Sequence, residues 1–167
     1  MAKGLIHIYT GEGKGKTTCS TGQAVRATGQ DFNVCIVQFI KGISKEAGEY
    51  KLISESLPEM ELIRSKLYHP MFLKKKPTQT ELEDEAERTF ELAKEKANSG
   101  KFDLLVMDGI NNVVSSNRPS WKRVANLLVA KPDKLEIVLT GRDAHPKSQS
   151  IADYVTEMLI IKHPYDN

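Results

Sequence analysis

Apolar and polar side chains alternate along this chain in two rhythms, one of strands and one of helices. "LIHIYT", residues 5–10, alternates with the two-residue period of a strand and runs into a glycine-rich segment. Residues 17–28 carry helix-compatible side chains and stop before Gly29, which is placed to cap the helix end. "FNVCIVQFI", residues 32–40, is almost unbroken in β-branched and aromatic residues, the mark of a strand covered on both faces. "MELIR", residues 60–64, is a weaker strand. Residues 78–98 predict a helix, because Leu82, Ala86, Phe90, Ala93 and Ala97 recur at its spacing and Thr80 with Glu83 fits a capping box. The acidic run Glu81, Glu83, Asp84, Glu85 and Glu87 is expected to face solvent near the positive helix start. "FDLLVMD", residues 102–108, is an apolar strand that ends in aspartate. Residues 119–130 suit a helix with Pro119 in its first turn and Trp121, Val124, Leu127 and Leu128 on one side. "LEIVLTG" at 135–141 and "YVTEMLIIKH" at 154–163 are further strands, with a short helix at 146–153 between them. Only the stretch 41–78 is largely irregular.

Strands alternating with helices imply an α/β domain built on a mostly parallel sheet flanked by helices. No repeat or linker interrupts the pattern, so a single domain over residues 1–167 is expected. Composition changes this picture little. Hydrophobic residues make up 40% and charged ones 28%, ordinary for a globular chain, and a net charge of +2 gives no general case for nucleic-acid binding. No apolar run approaches the length of about 18 residues that a membrane span needs. Met1-Ala2-Lys3-Gly4 leads straight into the first strand with no signal-peptide pattern, so a cytoplasmic location is expected. Cys19 and Cys35 lack metal-type spacing and are expected to be reduced, buried thiols.

The chemistry concentrates in "TGEGKGKTT", residues 10–18. A glycine loop between a strand and a helix turns backbone N–H groups toward one point beside the positive helix end, and this is how a phosphate is held. Lys16 is placed to neutralise terminal phosphates, Thr17 to bind Mg²⁺ through its hydroxyl, and Lys14 to add a second positive charge. The first glycine is shifted: the usual P-loop pattern leaves four residues between it and the Gly15-Lys16 pair, a place held here by Thr10, and glycine comes one residue later at Gly11. Asp108, at the end of "LLVMD", is the candidate second metal ligand. Gly109 follows it, where many P-loop enzymes have glutamate.

On these residues the chain resembles the corrinoid adenosyltransferases of the CobA/CobO/BtuR type. "TGEGKGKTT", "VQFIKG" at 37–42, "VLTGR" at 138–142 and "ADYVTEMLIIKHPYD" at 152–166 all match family segments. The resemblance implies a RecA-like P-loop NTPase fold, usually dimeric, that moves the 5′-deoxyadenosyl group of ATP to cobalt(I) of a corrinoid and releases triphosphate. It implies ATP and a corrinoid as substrates, Mg²⁺ as cofactor, an electron donor that reduces cobalt, and no nucleic acid or membrane partner. It assigns nucleotide contacts to Gly11, Glu12, Gly13, Lys14, Gly15, Lys16, Thr17 and Thr18, and to Arg26 farther along the helix. Lys16, Thr17 and Asp108 are the catalytic candidates, and Thr17 and Asp108 the metal candidates. Tyr68 and Phe72, in "RSKLYHPMFLKKKPTQ", stand where relatives place aromatic residues beside the corrinoid.

Gly109 departs from the family pattern, in which glutamate is a metal ligand at this place. Loss of that glutamate is expected to weaken Mg²⁺ binding unless Asp108 compensates through water or Glu12 reaches in, and the resulting alternative is a catalytically weakened nucleotide- and corrinoid-binding homologue. A generic P-loop hydrolase or kinase is a third reading. The basic group Arg64, Lys66, Lys74, Lys75 and Lys76 is read as solvated, His145 as a loop residue and His7 as a packed strand residue.

Overall fold

The strongest apolar runs in the sequence become the middle of a six-stranded sheet. The computed structural model describes residues 3–41, 48–67, 77–114 and 119–164. Its elements in chain order are β1 (Ile6–Thr10), α1 (Lys16–Thr28), β2 (Val34–Gln38), α2 (Gly48–Ser56), β3 (Met60–Arg64) and α3 (Gln79–Asn98), followed by β4 (Leu104–Asp108), α4 (Ile110–Val114), α5 (Trp121–Ala130), β5 (Glu136–Thr140), α6 (Pro146–Ile151) and β6 (Tyr154–Glu157). The strand order is β3-β2-β4-β5-β1-β6, and every pairing is parallel. β2 and β4 are buried at every position, as their unbroken apolar runs predict.

Strand periodicity divides the core into two layers. Cys35, Val37, Leu105, Met107, Ile137 and Leu139 pack toward α3, α4 and α5, around Phe90, Ile110 and Leu128. Val34, Ile36, Leu104, Val106 and Val138 pack on the other face, against Ala24 of α1 and Ile53 of α2. The α/β architecture with a parallel sheet and helices on both faces is therefore the observed one. Among the described residues, no helix is long and apolar enough to cross a membrane.

Several elements differ from expectation. α2 occupies part of the stretch expected to be irregular; only Ile53 of it is buried, so its periodic signal is faint. α3 is capped by the box Thr78 with Glu81 rather than Thr80 with Glu83. Both pairs have the same spacing, and the choice is made by where the chain enters the helix. Pro119 precedes α5, whose N-cap is Ser120. β6 stops at Glu157, well short of residue 163, because the chain then leaves the sheet to cross the glycine loop. Leu159, Ile160 and Ile161 are exposed, so apolarity alone had lengthened the strand.

Side-chain placement brings further corrections. Glu85 does not face solvent: it is 8% exposed, accepts hydrogen bonds from Arg88 and from the backbone N–H of Lys66, and so ties the exit of β3 to α3. Cys19 is exposed on α1, and only Cys35 is buried. His7 is packed, with Nε2 2.9 Å from Glu136 Oε1 and its ring stacked on Tyr154. His145 is more than a loop residue; it is the N-cap of α6, accepts from the Lys147 N–H, and stacks on Trp121. Asp153 accepts the N–H of Ile6 at 2.8 Å, pinning β1 beside β6.

Candidate nucleotide and metal site

The glycine loop is shaped from two sides. On its own side, Gly11 and Gly15 have positive φ, 91° and 115°, so the chain reverses and launches α1 with no side-chain cap on its first amides. From the other side comes the segment after β6. Met158 donates its N–H to Thr10 O and accepts the N–H of Gly13 at 2.7 Å. A Cβ on Gly13 would stand 2.6 Å from Met158 O, so only glycine permits this approach. The inward-shifted glycines thus have a structural reason: a backbone crosses the loop. Because its amide is engaged by Met158, Gly13 supplies conformation here, while the first amides of α1 carry no side-chain cap, the arrangement that suits an anion.

Lys16 Nζ donates to the carbonyls of Gly11 and Gly13, 2.6 Å each, which holds the ammonium over the loop. Burial lowers its pKa; the positive charge of Arg142 adds to this, Glu12 opposes it, and Lys41 lowers it again. The ammonium is therefore an electrostatically costly group that an incoming anion would relieve.

Asp108 is the centre of the site. It is 1% exposed, and both carboxylate oxygens are fully used. Oδ1 accepts from Thr17 Oγ1 at 2.9 Å and Thr140 Oγ1 at 2.7 Å. Oδ2 accepts from Gln38 Nε2 at 3.1 Å and Lys41 Nζ at 2.5 Å. Thr140 in turn accepts the Gly109 N–H at 2.8 Å. β5 lies between β1 and β4, so Thr140 at its end bridges the loop side and the aspartate side. Thr17 and Asp108, chosen from sequence as partners, are thus in direct contact across 91 residues of chain.

A hydroxyl and a carboxylate side by side are hard oxygen donors suited to Mg²⁺, which keeps most of its ligands as water and phosphate. Among the described residues no three His, Cys, Asp or Glu side chains converge. The donor set therefore fits a Mg²⁺ that arrives with a polyphosphate, and it does not form an all-protein cage.

The remaining candidates divide. Lys14 and Thr18 are exposed at the loop and the start of α1. Glu12 turns outward and pairs with Arg142 at 2.9 Å, so it does not compensate for the missing glutamate. Arg26 is exposed in the last turn of α1, about 15 Å along the helix axis from Lys16, and the structure does not bring it to the loop. Tyr68, Phe72 and Lys74, Lys75 and Lys76 lie outside the described residues. Arg64 is not merely solvated: it donates to Gln38 Oε1 at 2.9 Å and to the carbonyl of Lys41 at 3.1 Å. Gly109 has φ 91°, and a Cβ there would meet Phe39 O at 3.2 Å. The position is built as a turn, not as a glutamate site with its side chain deleted.

Gln38, Lys41 and Thr140 were not singled out from the sequence. Two signals were present, since Gln38 and Lys41 lie in "VQFIKG" and Thr140 in "VLTGR". A polar residue at the end of an otherwise apolar buried strand is where such groups are found.

The model of a family described as ATP:corrinoid adenosyltransferase BtuR/CobO/CobP matches residues 2–167. Corrinoid adenosyltransferase CobA of Salmonella typhimurium is 31% identical over 166 residues, covering 98% of this chain and 81% of its own length. A corrinoid adenosyltransferase of Sinorhizobium sp. is 34% identical over 166 residues, covering 98% of this chain and 75% of its own. An uncharacterized protein of Nostoc sp. is 32% identical over 171 residues; the match covers 96% of this chain but 45% of that protein, so the chain spans about half its length. The end-to-end family match, on a fold that joins the glycine loop to Asp108, places this chain in the ATP:corrinoid adenosyltransferase BtuR/CobO/CobP family.

Proposed function

We propose that this chain transfers the 5′-deoxyadenosyl group of ATP to the cobalt(I) of a corrinoid. Cobalt supplies the electron pair for a new bond to C5′, the C5′–O bond breaks, and triphosphate takes the electrons of that bond. Cobalt(I) is already a strong nucleophile, so the protein needs no side-chain base for it. Its tasks are to align the carbon with cobalt and to stabilise the charge growing on triphosphate. Lys16, Lys14 and the first amides of α1 serve the second task, with Gly11, Gly13 and Gly15 setting the backbone and Thr18 beside them. Thr17 and Asp108 would hold Mg²⁺, which when bound neutralises part of the polyphosphate charge.

The observation that carries this reading is the contact of Thr17 with Asp108 at the foot of the loop, in a chain whose named relatives are corrinoid adenosyltransferases. Those relatives weigh against a degraded binding homologue, as does a Gly109 that serves its own turn. Tyr68 and Phe72 are assigned to the corrinoid side on the sequence resemblance. An external reductant for cobalt, a homodimer and a cytoplasmic location complete the proposal; sedimentation equilibrium of the purified chain tests the dimer.

The deciding experiment incubates the protein with chemically reduced cobalamin, ATP and Mg²⁺. Light-sensitive adenosylcobalamin and free triphosphate are expected in equal amounts. Release of ADP, or nucleotide turnover without cobalamin, would replace this reading with that of a P-loop hydrolase or kinase.

A further inference from the structure

The ammonium of Lys41 lies 2.5 Å from Thr17 Oγ1 and 2.5 Å from Asp108 Oδ2, the two side chains assigned above to Mg²⁺. One positive charge already sits between the two metal donors. It also completes the carboxylate, since the other contacts of Asp108 come from neutral groups: Thr17, Thr140 and Gln38.

This placement is held from several directions. Ile40, just before Lys41, has φ 51°, a left-handed conformation that is a true outlier for a β-branched residue. That turn bends the chain after β2, and backbone strain of this kind persists only where surrounding contacts over-determine it. The Lys41 N–H donates to Ser65 Oγ at 3.1 Å, and Ser65 donates to Leu67 O at 2.9 Å. Arg64 holds the Lys41 carbonyl and, through Gln38, the same Asp108 oxygen that Lys41 binds. The Lys41 side chain is 31% exposed and its partner carboxylate 2%, so the contact is not a solvent-screened surface pair.

We infer that Lys41 is a tethered counter-ion of Asp108 and Thr17 that keeps divalent metal out of the nucleotide-free site. Lys41 and a dication compete for the same oxygen lone pairs. With glycine at 109, Asp108 is the one carboxylate that touches this ammonium among the described residues, so the pair is electrically balanced without a metal. A metal displaces the ammonium only when it brings further ligands and charge of its own, as a polyphosphate does. Lys41 is thus a positioning residue that couples metal entry to nucleotide entry. The inference rests on the proposed function only in taking Thr17 and Asp108 as the metal donors.

The test uses the full chain with Mn²⁺ as the probe and neither ATP nor corrinoid. The free hexaaqua signal is followed by electron paramagnetic resonance. Wild type is expected to bind Mn²⁺ weakly, Lys41→Met roughly tenfold or more tightly, and Lys41→Arg like wild type. Adding Asp108→Asn to Lys41→Met should abolish the gain. Circular dichroism checks folding, and Lys41→Gln, with a polar tip for Thr17, takes the place of methionine if that variant unfolds. Equal Mn²⁺ affinity in wild type and the neutral variants overturns the inference, and so does a gain that survives Asp108→Asn. Triphosphate release tests the proposed function separately: its failure beside the expected Mn²⁺ result removes the activity and leaves the role of Lys41 standing.

Discussion

At the scale of single residues, the site depends on charges whose surroundings are now specified. Lys16 is held over the loop by two carbonyls and is the group proposed to meet the polyphosphate charge. Replacing it with methionine should lower the rate of triphosphate formation about 10²–10³-fold, the usual loss for one preorganised charge-stabilising donor, in a coupled assay with reduced cobalamin. Gly109 invites a simple repair by Gly109→Glu, and the structure argues against it. Glutamate would have to accept φ 91° with its Cβ 3.2 Å from Phe39 O. The variant should lose about 1–3 kcal/mol of stability in urea denaturation and gain no activity. The two cysteines, alike in sequence, should separate under a thiol reagent. Burial pushes the Cys35 thiol up to about 12, with Glu61 adding to the shift, whereas Cys19 is exposed on α1. One thiol per chain should react in native protein and the second only after unfolding.

At the scale of elements, the informative case is α3. Its acidic run looks uniformly solvated, yet the helix turns Glu85 inward, where Arg88 and the Lys66 N–H meet it. Burial alone would raise its pKa, but hydrogen bonds from Arg88 and Lys66, with their positive charges, outweigh burial and leave the carboxyl below its usual range. The sign follows from linkage. A depressed carboxyl contributes stability above the unfolded value of about 4.3, and that stability is lost as pH falls through the folded value. Urea midpoints measured from neutral pH down to about pH 3 should therefore fall less steeply in Glu85→Gln than in wild type, from a lower start at neutral pH. The sequence could not identify Glu85 because burial within a helix depends on which face the sheet covers. Thr78 and Thr80 pose the same difficulty: each has glutamate three residues on, and only Thr78 ends the incoming chain. Thr78→Ala should cost about 1 kcal/mol, and Thr80→Ala markedly less, in the same denaturation measurement.

At the scale of the whole molecule, the parallel sheet brings together residues that lie far apart in the chain: Lys16 and Thr17 from α1, Gln38 at the end of β2 and Lys41 after it, Asp108 from β4, and Thr140 from β5. Ligand binding at such a junction should report on the fold as a unit. ATP with Mg²⁺ at about 100 times its dissociation constant should add about 2.7 kcal/mol. For a chain of this size that is a rise of roughly 5–10 °C in melting temperature, lost in Lys16→Met. The strand–loop–helix opening, the buried strands and the pairing of a glycine loop with a distant aspartate were readable in the residues, because apolar period and glycine spacing are local constraints that the backbone must obey. Helix α2, the short β6 and the outward turn of Glu12 were not, because amphipathic period is weak in half-exposed elements. The sequence by itself determined the class of fold and the glycine-rich turn between the first strand and the first helix. Only the tertiary structure decided that Met158 crosses that loop, that Glu85 is buried, and that Lys41 rather than a second carboxylate stands beside Asp108. Those contacts join residues with no shared local pattern, and they exist because sheet order and one left-handed turn at Ile40 bring them within hydrogen-bond reach.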